Sequence, residues 1–206
     1  MPKFIIILTI MLNWLVELDK KAFLYLNGKH LPVFDDIMWL ISDTRTWIPF
    51  FVILLAVIIY QERPYQFIIT IVFAAITIVI CDQLSTFIKD WVARPRPTHE
   101  PGIAHLVHTV NNYRGGAYGF VSSHAANSFG LAAFLACCFR SNKIGAFLFA
   151  CAIIVSYSRI YLGVHYPFDI IFGAILGLLA GPQCYVFKAR TASFIERKVK
   201  DRKYKK

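Results

Sequence analysis

The chain has 206 residues, of which 57% are hydrophobic and only 17% charged, and its mean hydropathy is +0.55. Soluble domains carry about 25% charged residues, so the composition argues against a soluble globule. The net charge of +10 does not indicate a nucleic-acid-binding protein either, because a chain with 18 Phe residues and long uncharged runs has too little polar surface for that role. The length and composition predict a membrane protein of about one domain, in which the positions of the basic residues indicate how the chain is oriented in the membrane.

The N-terminal region is predicted to be an anchor followed by interfacial helices, over residues 1–45. Its apolar run, residues 4–16, is shorter than the ~20 residues that cross a bilayer core. No small-residue cleavage site follows it, so we expect an uncleaved anchor or an interfacial helix rather than a signal peptide, and we favour a membrane-inserted segment. Two amphipathic stretches come next, one ending at Asn27-Gly28 and one over Pro32–Ser42, and we expect both to lie at the membrane interface.

Five further uncharged runs are candidate membrane spans. They cover residues 46–61, 64–81, 115–139, 144–158 and 170–187. The second continues through Asp82 to Lys89 and the last extends back to Tyr166, so each becomes a full-length helix that carries ionisable residues. We therefore predict an all-α integral membrane protein, a bundle of five to six transmembrane helices with interfacial amphipathic helices. Residues 46–187 form its core, and residues 188–206 form a basic tail.

Basic residues predict how the chain crosses the membrane. Alternation of the spans collects twelve of them on one side: Arg63, Arg140, Lys143, Lys188, Arg190, Arg197, Lys198, Lys200, Arg202, Lys203, Lys205 and Lys206. By the positive-inside rule this side is cytoplasmic. The segment from Arg94 to Gly119, rich in Pro, His, Asn and Gly, then forms a loop on the extracytoplasmic side.

Ionisable residues gather near the extracytoplasmic ends of the spans. They are Lys89, His124, Arg159, His165 and Asp169. Charged or titratable side chains in or beside membrane helices are costly, so they are candidates for function by default. Together with hydroxyl groups and a helix N-terminus, this set suits a phosphoryl group, with cations and N–H donors for its oxygens, one histidine for attack and one for proton transfer.

Two local patterns sharpen this expectation. His165 and Asp169 are four residues apart at the start of a helix, so the carboxylate can orient one ring nitrogen and leave the other free as a nucleophile or base. Ser122, Ser123 and His124 open an apolar helix, whose unpaired N–H groups favour an anion. A serine at this position is also typical of a helix N-cap, and the two roles are compatible.

At these residues the chain resembles the type 2 phosphatidic acid phosphatases (lipid phosphate phosphatases), whose active sites are similar to those of bacterial acid phosphatases and vanadium haloperoxidases. The first motif of that family, Lys-x6-Arg-Pro, is matched by Lys89, Arg96 and Pro97. The third, Ser-Arg-x5-His-x3-Asp, is matched by Ser158, Arg159, His165 and Asp169. The resemblance covers about residues 89–169 and implies a six-helix membrane fold.

The chain departs from the family pattern at the second motif, Pro-Ser-Gly-His. Here it reads Val121-Ser122-Ser123-His124, so the serine and histidine are kept while the proline and glycine are replaced. The Ser123 side chain is therefore expected to crowd a phosphate that glycine would admit. A doubled Arg-Pro also precedes the loop; the family spacing selects Arg96, and we expect Arg94 to face lipid headgroups.

The resemblance implies a mechanism and its residues. His165, oriented by Asp169, attacks phosphorus while His124 protonates the leaving oxygen, and His124 then activates water to hydrolyse the phosphohistidine. The phosphate is bound by Lys89, Arg96, Ser122, Ser123 and Arg159, and neither a metal nor another cofactor is required.

The family substrates are lipid phosphates. A polyprenyl pyrophosphate such as undecaprenyl pyrophosphate is our leading expectation; the alternatives are lipid A, phosphatidylglycerophosphate and phosphatidic acid. We expect a bacterial inner membrane protein with its site facing the periplasm. An anion transporter and an intramembrane serine protease are remoter alternatives, because no repeat is visible and no Gly-x-Ser-Gly pattern surrounds Ser122.

Two remaining signals are read as non-catalytic. The spacing of His99, His105 and His108 could bind a metal, but we favour a solvated or substrate-entry loop. Asp82 lies two helical turns before Lys89, and we expect it to be a structural partner of a buried polar group.

Overall fold

The computed structural model describes residues 3–62 and 64–204. Three basic residues used in the orientation argument, Arg63, Lys205 and Lys206, lie outside the described residues. Seven α-helices make up most of the described part, which contains no extended β-strand. They are α1 (Lys3–Asn27), α2 (Pro32–Ser42), α3 (Ile48–Gln61), α4 (Pro64–Val92), α5 (Ser123–Phe139), α6 (Asn142–Tyr161) and α7 (Pro167–Tyr204).

Three of these helices, α4, α6 and α7, are long and apolar enough to cross a membrane. The pair α2–α3, bent by 71° across a short 3-10 turn, qualifies as a fourth span if it is counted as one. Helix α5 is apolar but has only 17 residues. The all-helical membrane architecture is confirmed; the predicted number of five to six spans additionally counts α5 and residues 4–16.

The N-terminal region differs from the prediction in one respect. We expected an anchor and a separate amphipathic stretch, but α1 is a single helix of 25 residues. The helix continues through the charged residues after position 16, and two of them have partners elsewhere in the protein. Asp19 is 1% exposed, and Nζ of Lys20 donates to Oε1 of Glu100 at 2.9 Å. Helix α2 has the predicted bounds, Pro32–Ser42.

Helix α5 packs closely on α7 because α7 presents glycines to it. Gly173, Gly177 and Gly181 recur every four residues, and a Cβ on Gly173 would lie 2.5 Å from the carbonyl oxygen of Ser122. Such small residues let membrane helices approach backbone to backbone. The N–H of Ser122 donates to the carbonyl of Asp169 at 2.9 Å, so the start of α5 is fixed beside the start of α7.

The opposite end of the bundle holds the α3–α4 turn and the middle of α7. Nζ of Lys188 donates to Glu62 at 2.8 Å, and the guanidinium of Arg140 donates to the hydroxyl of Tyr185 at 3.2 Å. These contacts lie at the end that the charge pattern predicts to be cytoplasmic. The basic tail continues α7 as helix through Tyr204.

The predicted loop between α4 and α5 lies at the other end. Its regular structure is limited to two 3-10 turns, Pro97–His99 and Ala104–Leu106, and one isolated bridge between Pro95 and Tyr118. It covers the ends of the helices that carry the motif residues.

Candidate active site

The predicted histidine–aspartate pair is formed in the connection between α6 and α7. Nδ1 of His165 lies 3.3 Å from Oδ2 of Asp169, and the two side chains are 2% and 0% exposed. The N–H of Tyr166 donates to the same carboxylate oxygen at 3.0 Å. The imidazole is therefore held through Nδ1, and Nε2 is the ring nitrogen left for chemistry.

His165 is surrounded by positive charge. Complete burial, together with nearby Arg96, Arg159 and Lys89, holds the pKa of His165 well below its ordinary value of 6.5. The ring is therefore neutral at neutral pH, and its lone pair is available. His124 lies within electrostatic range of the same three cations and of His165, so the structure brings both histidines into one cluster.

Arg94 does not face lipid headgroups, so that expectation was wrong. Its guanidinium bridges two buried carboxylates, at 3.0 Å from Oδ1 of Asp169 and 2.7 Å from Oδ2 of Asp19. It also lies 4.0 Å from the centre of the Tyr166 ring. The other oxygen of Asp19 accepts from the N–H of Phe168 at 2.9 Å, in the first turn of α7. Asp19 thus links α1 to the residues that hold His165, a connection that sequence spacing could not reveal.

Lys89 is held by the serine that replaces the family glycine. Its Nζ donates to Oγ of Ser123 at 2.8 Å, and the hydroxyl groups of Ser123 and Ser85 form a hydrogen bond with their oxygens 2.8 Å apart. Two of the three ammonium protons remain for another acceptor. Rather than only crowding a ligand, the Ser123 side chain fixes the direction of Lys89.

Ser122 is the N-cap of α5, as one of the two compatible readings predicted. Its Oγ accepts from the N–H of Ala125 at 3.4 Å, and the side chain is buried. This cap leaves the N–H groups of Ser123 and His124 in the first helical turn, where they have no intrahelical acceptor. The helix N-terminus therefore retains the donors that an anion site needs.

Arg96 is placed by backbone carbonyls on both sides of the cluster. Its Nε donates to Tyr118 at 2.9 Å and its Nη1 to Val164 at 3.4 Å. Gly115 makes this possible, since its φ is +67° and a Cβ there would lie 2.6 Å from Nη1 of Arg96. Arg96 is 9% exposed, so the loop buries it beside His165.

Arg159 is held by two residues that the sequence analysis missed. Its guanidinium donates to Oγ of Ser42, at the end of α2, and to the hydroxyl of Tyr113 at 3.2 Å. Its Nε is buried and has no partner in the described part of the protein. No short-range spacing connects these three residues, which come from α2, the loop and α6.

Two cavities meet at His124. The first, of about 330 Å³, is polar and lies against Arg159, Tyr113 and Arg45. The second, of about 230 Å³, is an apolar crevice that runs between α3, α5 and α6. Both are lined by Ser42, Thr44 and His124, so a polar compartment next to His124 continues into an apolar one.

The loop histidines do not form a cluster with one another. His108 lies 3.1 Å from Asp35 and stacks on His30 at 3.7 Å, while His99 bonds to the hydroxyl of Thr98. Among the described residues, no group of three or more His, Cys, Asp or Glu side chains is arranged to hold a metal ion.

Asp82, predicted to pair with a buried polar group, is half-buried in α4. Its backbone carbonyl accepts from the hydroxyl of Ser85. Within residues 3–62 and 64–204, its carboxylate has no hydrogen-bond or ion-pair partner, so the expected pairing is not found.

Comparison with known proteins decides the family. The profile of the PAP2 superfamily matches residues 66–192. The chain belongs to the PAP2 superfamily. It is therefore a membrane phosphatase of the lipid phosphatase type, and the resemblance stated from the three motifs is confirmed.

Individual relatives act on different lipids. The chain is 39% identical over 173 residues to a lipid A 4'-phosphatase of Bacteroides thetaiotaomicron, covering 83% of this chain and 77% of that protein. It is 28% identical over 170 residues to the undecaprenyl-diphosphatase BcrC of Bacillus subtilis, covering 81% of each. Among solved structures, a transmembrane PAP2-type phosphatidylglycerolphosphate phosphatase from Bacillus subtilis superposes with a TM-score of 0.64 at 20% identity, over 86% of this chain and 88% of that one. This last similarity supports the fold alone.

Proposed function

We propose that the protein removes a phosphate group from a membrane lipid through a phosphohistidine formed on His165. The observation that carries the proposal is the position of the His165–Asp169 pair. It is buried near Lys89, Arg96 and Arg159 at one end of a membrane bundle. His124, which belongs to the same cluster, lies where the polar cavity meets the apolar crevice. A phosphate with a hydrocarbon chain fits these two compartments.

The first step transfers the phosphoryl group to the enzyme. The Nε2 lone pair of His165 forms a bond to phosphorus, the bond from phosphorus to the lipid oxygen breaks, and its electron pair goes to that oxygen. His124 is uncharged in the free site and takes up a proton as the phosphate binds, because the negative phosphate offsets the neighbouring cations; it then gives this proton to the leaving oxygen. Asp169 accepts the Nδ1–H of His165 and stabilises the charge that forms on the ring.

The second step returns the enzyme to its starting state. His124, now neutral, removes a proton from water as the water oxygen attacks phosphorus. The nitrogen–phosphorus bond breaks, its electron pair returns to Nε2 of His165, and inorganic phosphate leaves. In both steps the negative charge on the equatorial phosphate oxygens is stabilised by Lys89, Arg96 and Arg159.

Two further groups complete the phosphate site in this proposal. The first-turn N–H groups of α5, including that of Ser123, donate to the same oxygens, and Ser122 contributes by capping the helix that presents them. Neither step uses a metal ion or a cofactor.

For the substrate we propose an acylated sugar phosphate of the lipid A type. The similarity to a lipid A 4'-phosphatase extends over 83% of the chain at 39% identity, which exceeds the 28% identity to the undecaprenyl-diphosphatase. Undecaprenyl pyrophosphate, the leading expectation from the sequence, is the second candidate, supported by that second relative. The apolar crevice accommodates a hydrocarbon chain of either kind.

We also propose that the site faces the periplasm in a bacterial inner membrane. The basic residues of α7, from Lys188 onward, lie at the end of the bundle opposite His165. Positive residues favour the cytoplasmic side, so the active site is assigned to the other face. To check this orientation, the five native cysteines are first replaced; a membrane-impermeant thiol reagent applied to intact spheroplasts should then label Asn111→Cys and leave Arg197→Cys unlabelled.

The central experiment is phosphate release by purified protein in detergent. His165→Ala should abolish turnover, and His124→Ala should lower it by several orders of magnitude, while vanadate should inhibit the wild type. Turnover at the wild-type rate by either variant would contradict the assignment. Chelation by EDTA should leave the rate unchanged. A panel of lipid A, undecaprenyl pyrophosphate, phosphatidylglycerophosphate and phosphatidic acid then ranks the substrates by kcat/KM.

A further inference from the structure

The apolar crevice contains a polar side chain whose bonding capacity is not used. Asn127 lies in its wall, three residues after His124 on α5, so it is about 4.5 Å deeper along the helix axis. Its Oδ1 is buried and has no hydrogen-bond partner in the described part of the chain. An unpaired amide group in apolar surroundings is costly, and a buried polar group without a partner calls for an explanation.

The rest of the crevice wall offers Asn127 few hydrogen-bonding partners. Most of its wall is hydrocarbon or aromatic, contributed by residues such as Phe50, Leu54, Leu131 and Leu148. A primary amide presents either its oxygen or its N–H groups, according to the rotation of its terminal bond. In the orientation seen here Oδ1 is enclosed by the protein, so the amide can donate its N–H groups to an acyl carbonyl in the crevice. After rotation of the terminal bond it can instead accept from an amide N–H or a hydroxyl.

The occupant is constrained by the connection between the two cavities. A phosphate next to His124 places the first few bonds of its lipid at the entrance of the crevice, beside Asn127. In an acylated lipid phosphate, an ester or amide group lies a few bonds from the phosphate. In a polyprenyl phosphate, the same region is hydrocarbon, and the amide stays unpaired. Sites with a buried hydrogen-bonding group discriminate strongly against a ligand that cannot satisfy it.

From this geometry we propose that Asn127 is a specificity-determining residue, which hydrogen-bonds the ester or amide group of an acylated lipid phosphate and selects it over a polyprenyl phosphate. The inference rests on the proposed lipid phosphatase function and names its substrate class. It assigns Asn127 no part in the chemical step, so its effect is on the choice of lipid.

The test compares kcat/KM for monophosphates that differ only in the lipid: diacyl phosphatidic acid, its dialkyl ether analogue, which lacks the carbonyls, and geranylgeranyl monophosphate. Wild-type protein should prefer the diacyl lipid over each of the others. Asn127→Leu should reduce both preferences by about tenfold, which corresponds to about 1.4 kcal/mol for one hydrogen bond. Because each preference is a ratio measured on one preparation, the fraction of folded protein cancels.

Ser156→Ala is the matched control. The hydroxyl of Ser156 is also buried without a partner among the described residues, but Ser156 does not line the crevice, so both ratios should stay at the wild-type value. Unchanged ratios in Asn127→Leu and Asn127→Ala, with all lipids turned over, would overturn the role of Asn127 and leave the proposed function standing. Failure of the wild type to release phosphate from any lipid would instead overturn the proposed function, and the inference with it.

Discussion

Replacing Arg94 by methionine should damage the active site although Arg94 makes no contact with the reacting atoms. The change keeps an unbranched, flexible stem but removes the guanidinium that bridges Asp19 and Asp169, at 2.7 and 3.0 Å. Both carboxylates are fully buried, whereas Arg94 is 18% exposed. Removing one partner of a buried ion pair costs about 3–5 kcal/mol, and here two carboxylates lose the same partner. We expect a loss of stability in the upper part of that range.

The activity should fall for a separate reason. Without Arg94, the only contacts left to the Asp169 carboxylate within the described residues are those of Oδ2, to His165 and the N–H of Tyr166, so the carboxylate is free to turn. A displacement of about 1 Å at the reacting group can cost about 100-fold in rate, so we expect kcat to fall by that factor with a smaller change in KM. Asp19→Asn leaves Arg94 on Asp169; it should reduce stability by about 1.5–3 kcal/mol and kcat only a few-fold.

The assay combines thermal unfolding in detergent with kcat and KM for a lipid phosphate. Arg114→Met, an exposed arginine of the same loop, is the control and should change stability by less than about 0.5 kcal/mol. If Arg94 positions Asp169, kcat should fall much further in Arg94→Met than in Asp19→Asn. Equal losses of kcat in the two variants, or a folded Arg94→Met protein with wild-type kcat, would refute the reasoning.

Three further predictions concern the same cluster. Burial and neighbouring cations hold the pKa of His165 below 6.5, so its neutral form persists as the pH falls through 6.5. Arg96→Gln should raise that pKa and shift the acid limb of the pH profile of kcat/KM to higher pH. An acid limb at the wild-type pH would contradict this prediction. Ser123→Ala removes the acceptor that directs Lys89 and should raise KM by about 3–10-fold, whereas a KM equal to that of the wild type would show that the contact at 2.8 Å does not position Lys89. Gly119→Ala would place a methyl group 2.8 Å from the carboxylate that orients the nucleophilic histidine, so phosphate release should fall by at least tenfold, and full activity would exclude this crowding.

The part of the site that could be predicted lies close together in sequence or at helix ends. His165 and Asp169 are one helical turn apart, and the alternation of spans brings Lys89, His124 and Arg159 to the same end. These arguments need only helix periodicity and the direction of each crossing. The structure contains the pair, with its two side chains 3.3 Å apart.

The residues that hold the site in place could not be predicted in this way. Asp19 and Asp169 each lie 75 positions from Arg94 along the chain, and Ser42 lies 117 positions from Arg159. No periodicity relates residues at such separations, because their contact depends on how α1 and α2 pack on the bundle. Asp19 also belongs to a short charged stretch that, read locally, ends an apolar run. Only the tertiary partner shows why a carboxylate occurs there.

The charges of the assembled cluster explain why these N-terminal contacts matter for a phosphatase. Four cations and two carboxylates meet at this end of the bundle: Lys89, Arg94, Arg96, Arg159, Asp19 and Asp169. The two carboxylates are turned toward Arg94, so the other three cations remain for a ligand, and the whole cluster has an excess of two positive charges. A phosphate monoester carries about −1.5 to −2 charges at neutral pH, which matches this excess. Without Asp19 the excess would rise to three, and Arg94 would have only the carboxylate that orients His165 as its partner. Through Asp19, helix α1 therefore contributes to the charge balance of the active site.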